Sequence, residues 1–282
     1  MGSPLRALIR LTLYLGLTFT LIPAQVLALV LGSRYRERIP ILYHRLCCRI
    51  YGITVAVRGR MVERRPVLFA SNHTSYLDIM LLASLIPGSF VAKREVANWP
   101  LFGLLAKLQR TVFVVRERRQ ALAQRDEMTQ RLAAGDMLIL FPEGTSNDGN
   151  RVLPFKSSLF AAAAREIDGK PLAVQPVSVS YVALDGTPLG RFLRPFYAWY
   201  GDMEMAPHIW RVASLGNLTA VVEFHPPAPR EAFASRKVLA DYCQRAVAAG
   251  VAKALGGRWG EAAPALETPA QEAAAQVVAG TP

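Results

Sequence analysis

From Ile53 onward, short apolar runs rich in β-branched residues alternate with longer helical stretches, and that alternation leaves few folds open. Strands are predicted over residues 53–57, 66–70, 89–92, 111–115, 137–141, 172–181 and 218–224. Helices are predicted over 76–85, 96–108, 117–134, 156–167 and 231–254. Gly135, just after the third of these helices, stands where a left-handed C-terminal cap is expected. Strand and helix in regular turn predict an α/β fold, a mainly parallel sheet flanked by helices. In such a sheet the reactive side chains sit on loops at strand ends.

The region before the alternation has a different character. Residues 11–31 form an uncharged apolar run, about 30 Å long if helical, with Arg6 and Arg10 before it and Arg34, Arg36 and Arg38 after it. The run is too long for a signal peptide, and no small-x-small site with a polar start follows it. An apolar content of 52% and a mean hydropathy of +0.22 also exceed those of an ordinary soluble enzyme. Pro23 divides the run, which leaves either a kinked span or a helix that enters one leaflet and returns. Residues 38–51 read as a second, basic amphipathic helix at the interface, and the arginines there favour the cytoplasmic face of the inner membrane for the rest of the chain. The expected organisation is membrane-anchoring helices over 1–51, an α/β domain over 52–258, and an Ala-, Glu- and Pro-rich disordered tail over 259–282.

A net charge of +12 and a pI near 10.1 suit nucleic acid, anionic lipid or an acidic protein donor. Nucleic acid is the poorest of these, because there is no zinc-ligand spacing and no aromatic signature of single-strand binding. Cys47, Cys48 and Cys243 are odd in number and lack metal spacing, so they are expected to be reduced, buried, small apolar residues. No metal or cofactor is expected. Serine-hydrolase, P-loop and dinucleotide motifs are all missing from the sequence.

Chemistry concentrates in a few loops. Asn72-His73-Thr74-Ser75-Tyr76-Leu77-Asp78 sets an imidazole five residues ahead of a carboxylate, where a strand gives way to a helix. A histidine held in one tautomer by a carboxylate can act as a general base toward a hydroxyl. Phe141-Pro142-Glu143-Gly144-Thr145-Ser146 closes another strand. Gly144 permits close backbone approach, Thr145 offers a hydroxyl, and Glu143 can accept from a substrate hydroxyl, although Pro and Gly make ordinary turns at many strand ends. Lys156 adds positive charge to the same mouth or begins a solvated helix. Arg116, ending the strand over 111–115, aims a guanidinium suited to a phosphate. Trp99 and Phe102 are core residues by default and candidate acyl contacts otherwise. His44, His208 and His225 have no useful partner spacing and are expected to be structural.

In this order, the His73 and Glu143 segments, with Val112-Phe113-Val114-Val115-Arg116 between them and Val174-Gln175-Pro176-Val177 after them, resemble the four sequence blocks of the glycerolipid acyltransferase family. The resemblance covers residues 53–224 and implies that family's α/β fold, with N-terminal helices set into the leaflet. It implies His73 as general base and Asp78 as its partner, with Arg116, Glu143, Gly144 and Thr145 around the acceptor head group. The second block departs from the family, since Arg110 and Val115 stand where Gly and an acidic residue are common. Residues 108–114 and 146–151 are similar to the subgroup that acylates lyso-ornithine lipid.

The expected reaction is O-acyl transfer from acyl-carrier protein or acyl-CoA to 1-acyl-sn-glycerol-3-phosphate, giving phosphatidic acid at an anionic membrane. Lyso-ornithine lipid is the alternative acceptor. A membrane thioesterase or lipid hydrolase, and a non-catalytic membrane-binding protein, stand beside it from other classes.

Overall fold

In β2 (Val67–Ser71) every residue is buried, and the side chains alternate between two cores. Val67 and Phe69 join one apolar cluster while Leu68 and Ala70 join another. β5 (Met137–Leu140) divides in the same way, with Met137 and Ile139 on the first face and Leu138 and Leu140 on the second. A strand buried on both faces needs helices on both, and the chain supplies them. The computed structural model describes residues 2–114, 121–161, 172–229 and 233–259.

The remaining strands are β1 (Ile53–Gly59), β3 (Ser89–Lys93), β4 (Val112–Val114), β6 (Ala173–Leu184), β7 (Thr187–Pro188), β8 (Leu218–Phe224) and β9 (Ala228–Pro229). The sheet runs β1-β8-β6-β2-β5-β3-β4, with β7 and β9 short antiparallel additions to β6. All pairs from β6 to β4 are parallel, as predicted. The exception is β8, which lies antiparallel to β6 and carries β1 parallel on its outer side. After β6 the chain reverses at Asp185 and Gly186, both at positive φ, into the antiparallel β7.

The first face is covered by α1 (Pro4–Val30), α2 (Tyr35–Tyr51), α3 (Leu77–Ala83) and α6 (Met205–Ser214), and the second by α5 (Ala121–Ala133) and α7 (Arg236–Leu255). Gly135 takes φ +81 after α5, the expected cap. The helix predicted over 96–108 is instead a 3₁₀ turn, Arg94–Asn98, and a separate α4 (Phe102–Leu108), because Pro100 interrupts it. Of the helix predicted over 156–167, the described part is a 3₁₀ turn at Ser157–Phe160; residues 162–167 lie outside the described residues, as does the predicted tail from residue 260 onward. α6 has no counterpart among the predicted helices: it is short and holds Pro207 in its first turn.

α1 is long and apolar enough to cross a membrane, by length and composition, and it runs unbroken through Pro23. Both of its ends are tied to the α/β unit. Near the start, Arg6 and Arg10 donate to Leu215 O at 2.9 and 2.8 Å. Near the end, Gln25 Nε2 donates to Leu108 O at 2.9 Å and to Arg36 O at 3.0 Å. Arg36 O needs that donor, since Pro40, four residues on, has no N–H to offer. Ala7, Arg10, Thr18, Gln25 and Ala28 form the buried stripe of α1, while Leu5, Leu8, Leu13, Phe19, Leu27 and Val30 are exposed. Cys47, Cys48 and Cys243 are all free and buried.

Candidate active site

The site begins where β2 stops. Asn72 takes over from the backbone there: its side chain donates to Val179 O at 2.9 Å and accepts from Val179 N at 2.8 Å. One amide thus extends the β2–β6 pairing by a step and fixes the point at which the chain turns away. His73 follows at the rim, its side chain 21% exposed, while Asp78 in the first turn of α3 is fully buried.

His73 Nδ1 lies 2.9 Å from Asp78 Oδ2. The same oxygen accepts from the N–H groups of Thr74 at 2.6 Å and Ser75 at 2.9 Å. Asp78 Oδ1 accepts from the Tyr181 hydroxyl at 2.6 Å. Four donors thus converge on one buried carboxyl. A carboxylate can only accept, so Nδ1 carries the ring proton and Nε2 presents a lone pair. The face of the ring stacks on Phe141, centroids 4.0 Å apart and planes 16° from parallel, which limits its rotation.

Because β2 and β5 pair in parallel, Ala70 against Leu140, the loop after β5 stands beside the His73 loop. Gly144 turns it at φ +68. Glu143, expected from the sequence to accept from a substrate hydroxyl, is buried, and both of its oxygens accept from donors inside the protein. Oε1 accepts from His73 N at 3.0 Å, and Oε2 from Asn147 Nδ2 at 2.7 Å and Leu153 N at 3.2 Å. Burial pushes this carboxyl up to about 7, against the pull of those donors. Its position makes it a clamp between the two loops. Asn147 completes the clamp, its own N–H donating to His73 O at 3.2 Å.

Thr145 is exposed at the mouth. Lys156 is exposed as well; its N–H donates to Pro142 O at 2.9 Å, and its amine lies so close to the Gly144 turn that a Cβ there would come within 2.7 Å of Nζ. Val115 and Arg116 lie outside the described residues. Arg110 takes φ 60, a conformation glycine adopts freely, at the position where the resemblance expects Gly. Its guanidinium donates to Asp136 at 2.9 Å, and Arg131 pairs with the same carboxylate, so the departure from the family pattern is absorbed locally.

Beside the loops, α1, α2, α3 and α4 enclose an apolar cavity of about 180 Å³. Tyr43, Met80, Phe90, Trp99 and Phe102 are among its walls. Phe90 stacks on Phe141 with centroids 6.0 Å apart, and Phe141 stacks on His73, so one aromatic column joins cavity wall to imidazole. The other histidines hold structure together. His44 Nε2 meets Gln109 at 3.2 Å, His208 Nδ1 meets the Tyr76 hydroxyl at 3.0 Å, and His225 Nε2 meets Ser178 at 3.1 Å. Tyr181, Asn147 and Phe141 gain their roles through strand adjacency, and no spacing in the sequence announced them.

Residues 53–180 match the family model described as Acyltransferase. The lyso-ornithine lipid O-acyltransferase of Brucella abortus is 43% identical over 86% of this chain and 92% of its own. The 1-acyl-sn-glycerol-3-phosphate acyltransferase of Neisseria gonorrhoeae is 33% identical over 69% of this chain and 73% of its own. The crystal structure of the 1-acyl-sn-glycerophosphate acyltransferase from Thermotoga maritima superimposes with a TM-score of 0.62 at 23% identity, covering 91% of this chain and all of that one, a likeness of fold. With its sheet, its loop order and these relatives in agreement, the chain belongs to the glycerolipid acyltransferase family and is an acyltransferase acting with an acyl donor on a lysolipid acceptor.

Proposed function

We propose that this protein moves a fatty acyl group from an acyl thioester to the free hydroxyl of lyso-ornithine lipid, with His73 as general base. The observation that carries the reaction is the His73–Asp78 pair beside an apolar cavity. His73 Nε2 takes the proton of the acceptor hydroxyl, whose oxygen attacks the thioester carbonyl. The tetrahedral intermediate collapses with loss of thiolate, which receives the proton from the imidazolium. Asp78 holds the tautomer and stabilises the imidazolium while it lasts. Base catalysis of this kind contributes roughly 10²–10⁴-fold.

The N–H groups of His73, Thr74 and Ser75 are taken up by Glu143 and Asp78, so they are not free to meet the oxyanion. Lys156, beside Gly144, is proposed to face developing negative charge, and Arg116 the anionic part of the head group. That part is a carboxylate in lyso-ornithine lipid and a phosphate in lysophosphatidate; guanidinium suits either. The cavity is proposed to receive an acyl chain. The carrier is proposed to be acyl-carrier protein or acyl-CoA, the basic surface favouring the acidic protein and anionic lipid.

Higher identity to the Brucella protein favours the ornithine head group. Lysophosphatidate, the acceptor expected first from the sequence, becomes the second reading and is supported by the Neisseria relative. The membrane reading rests on α1. A helix tied at both ends to one α/β unit cannot carry its length across a bilayer and leave that unit on one side. We therefore take α1 to lie along one leaflet, its exposed apolar stripe in the acyl region, at the cytoplasmic face of the inner membrane.

The test is acyl transfer by the purified protein from one labelled thioester to each acceptor separately, read by mass spectrometry beside His73→Ala. Acylated ornithine lipid formed by the parent alone supports the proposal. Phosphatidate alone moves the assignment to the second reading, and thioester cleavage without an acceptor would mean hydrolysis instead.

A further inference from the structure

Residues 189–200 touch both halves of the site. Trp199 N donates to Thr74 O at 3.0 Å, next to His73. Ser146 Oγ donates to Trp199 O at 2.6 Å, Arg194 Nη1 to Asn150 Oδ1 at 2.6 Å, and Asn150 Nδ2 to Arg191 O at 3.2 Å. The same stretch displays Phe192 with 88% of its surface exposed, more than any other large apolar residue among those described. Phe196 is exposed nearby beneath the Arg211 guanidinium, 5.8 Å from its ring, and Arg211 adjoins the exposed Trp210 on α6. None of these side chains has a part in the chemistry proposed above.

Two features select the occupant of this patch. Arginines interleave with aromatic rings, the arrangement suited to the boundary between phosphate and acyl chains, in a chain of net charge +12. Asp202 and Glu204 precede α6, whereas Arg211 stands in its last turn. The patch also continues toward α1, since α6 packs on the N-terminal half of α1, where Leu5 and Leu8 are exposed.

We propose that Phe192, Phe196 and Trp210 enter an anionic phospholipid leaflet, with Arg191 and Arg211 at its headgroups, as a second membrane contact that seats the loop bracing both catalytic loops. Attachment by α1 holds the protein at the bilayer; this contact sets the mouth of the site against the lipid surface from which the acceptor comes. Its coupling to turnover rests on the acyl-transfer reading, whereas the contact itself does not.

Two experiments on the full chain separate these. In the first, Phe192→Trp is mixed with phosphatidylglycerol and phosphatidylcholine vesicles carrying brominated acyl chains. The emission added by the new indole should be quenched by bromine and protected from aqueous iodide; quenching by iodide without quenching by bromine overturns the contact. In the second, Phe192→Asp should lose about tenfold or more in turnover of a bilayer acceptor, the weight of one ring leaving an apolar medium, yet retain turnover of a short-chain acceptor dissolved as monomer. Phe192→Leu should retain both. Equal loss with both acceptors would mean a purely structural loop, and loss confined to an acyl-carrier-protein donor would mean a protein docking face; each overturns the coupling. If the parent acylates neither lysolipid, the acyl-transfer reading fails while bromine quenching still decides the contact.

Discussion

Two buried carboxylates flank His73, and they handle it differently. Asp78 reaches the ring: its oxygens hold Nδ1, two backbone N–H groups and the Tyr181 hydroxyl. Glu143 reaches only the backbone of the histidine, together with Asn147 and the Leu153 N–H. The first governs where the imidazole keeps its proton, and the second governs where the loop carrying the imidazole stands. Residue type and burial alone do not separate the roles; the identity of the donors does.

Removing the group both carboxylates serve should have the largest effect. His73→Ala is expected to lower turnover by roughly 10²–10⁴-fold with the fold and vesicle binding intact, measured by product formation beside circular dichroism. Turnover within a few-fold of the parent would remove His73 from the mechanism.

Asp78→Asn comes next. An amide can turn its NH₂ toward Nδ1 and favour the wrong tautomer, so turnover should drop by about 10²-fold or more. If Glu143→Gln lowers turnover equally without loss of stability, the contrast between the two carboxylates fails.

Glu143→Gln should act chiefly on stability. Its NH₂ would oppose the Asn147 and Leu153 donors, a loss of about 1–3 kcal/mol for a buried group deprived of partners, read from denaturant melts. The pH dependence sharpens the point. With this carboxyl raised to about 7 from its ordinary 4.5, the folded protein keeps a proton there that the unfolded chain releases. Stability contributed by that proton is present below about 4.5 and is lost as pH rises through about 7. Burial holds His44 and His225 down at about 4, which makes stability fall as pH drops below 6.5, so the Glu143 effect must be taken as the difference between parent and Glu143→Gln. Parallel stability profiles for the two from pH 5 to pH 8 would contradict the raised carboxyl.

Tyr181→Phe is the mildest change. It removes one of four donors to Asp78 and should slow turnover a few-fold while costing about 1 kcal/mol. An effect as large as that of Asp78→Asn would mean that the placement of the His73 ring depends on Tyr181 as much as on Asp78 itself.

Much of this was legible in the order of residues. Each predicted strand has its counterpart, because apolar runs bounded by turns express a backbone period that neighbours enforce. The His73–Asp78 pair was legible for a related reason: five residues of loop and helix start bring the two together with little help from elsewhere. The Asn72–Val179 bridge joins residues 107 apart, and Glu143 meets His73 across 70. Neither separation carries a signal, since both depend on β2 lying between β5 and β6.

The sequence by itself determined the alternation, the apolar first helix and the pairing of His73 with Asp78, all set by local backbone preference, hydrophobic period and short-range geometry. Tertiary structure alone decided that Glu143 clamps loops, that Tyr181 serves Asp78, that β8 runs against β6, and that α1 lies along the α/β unit. Those outcomes follow from which strands pair and which buried polar groups must find partners, and both are settled only when the whole sheet is assembled.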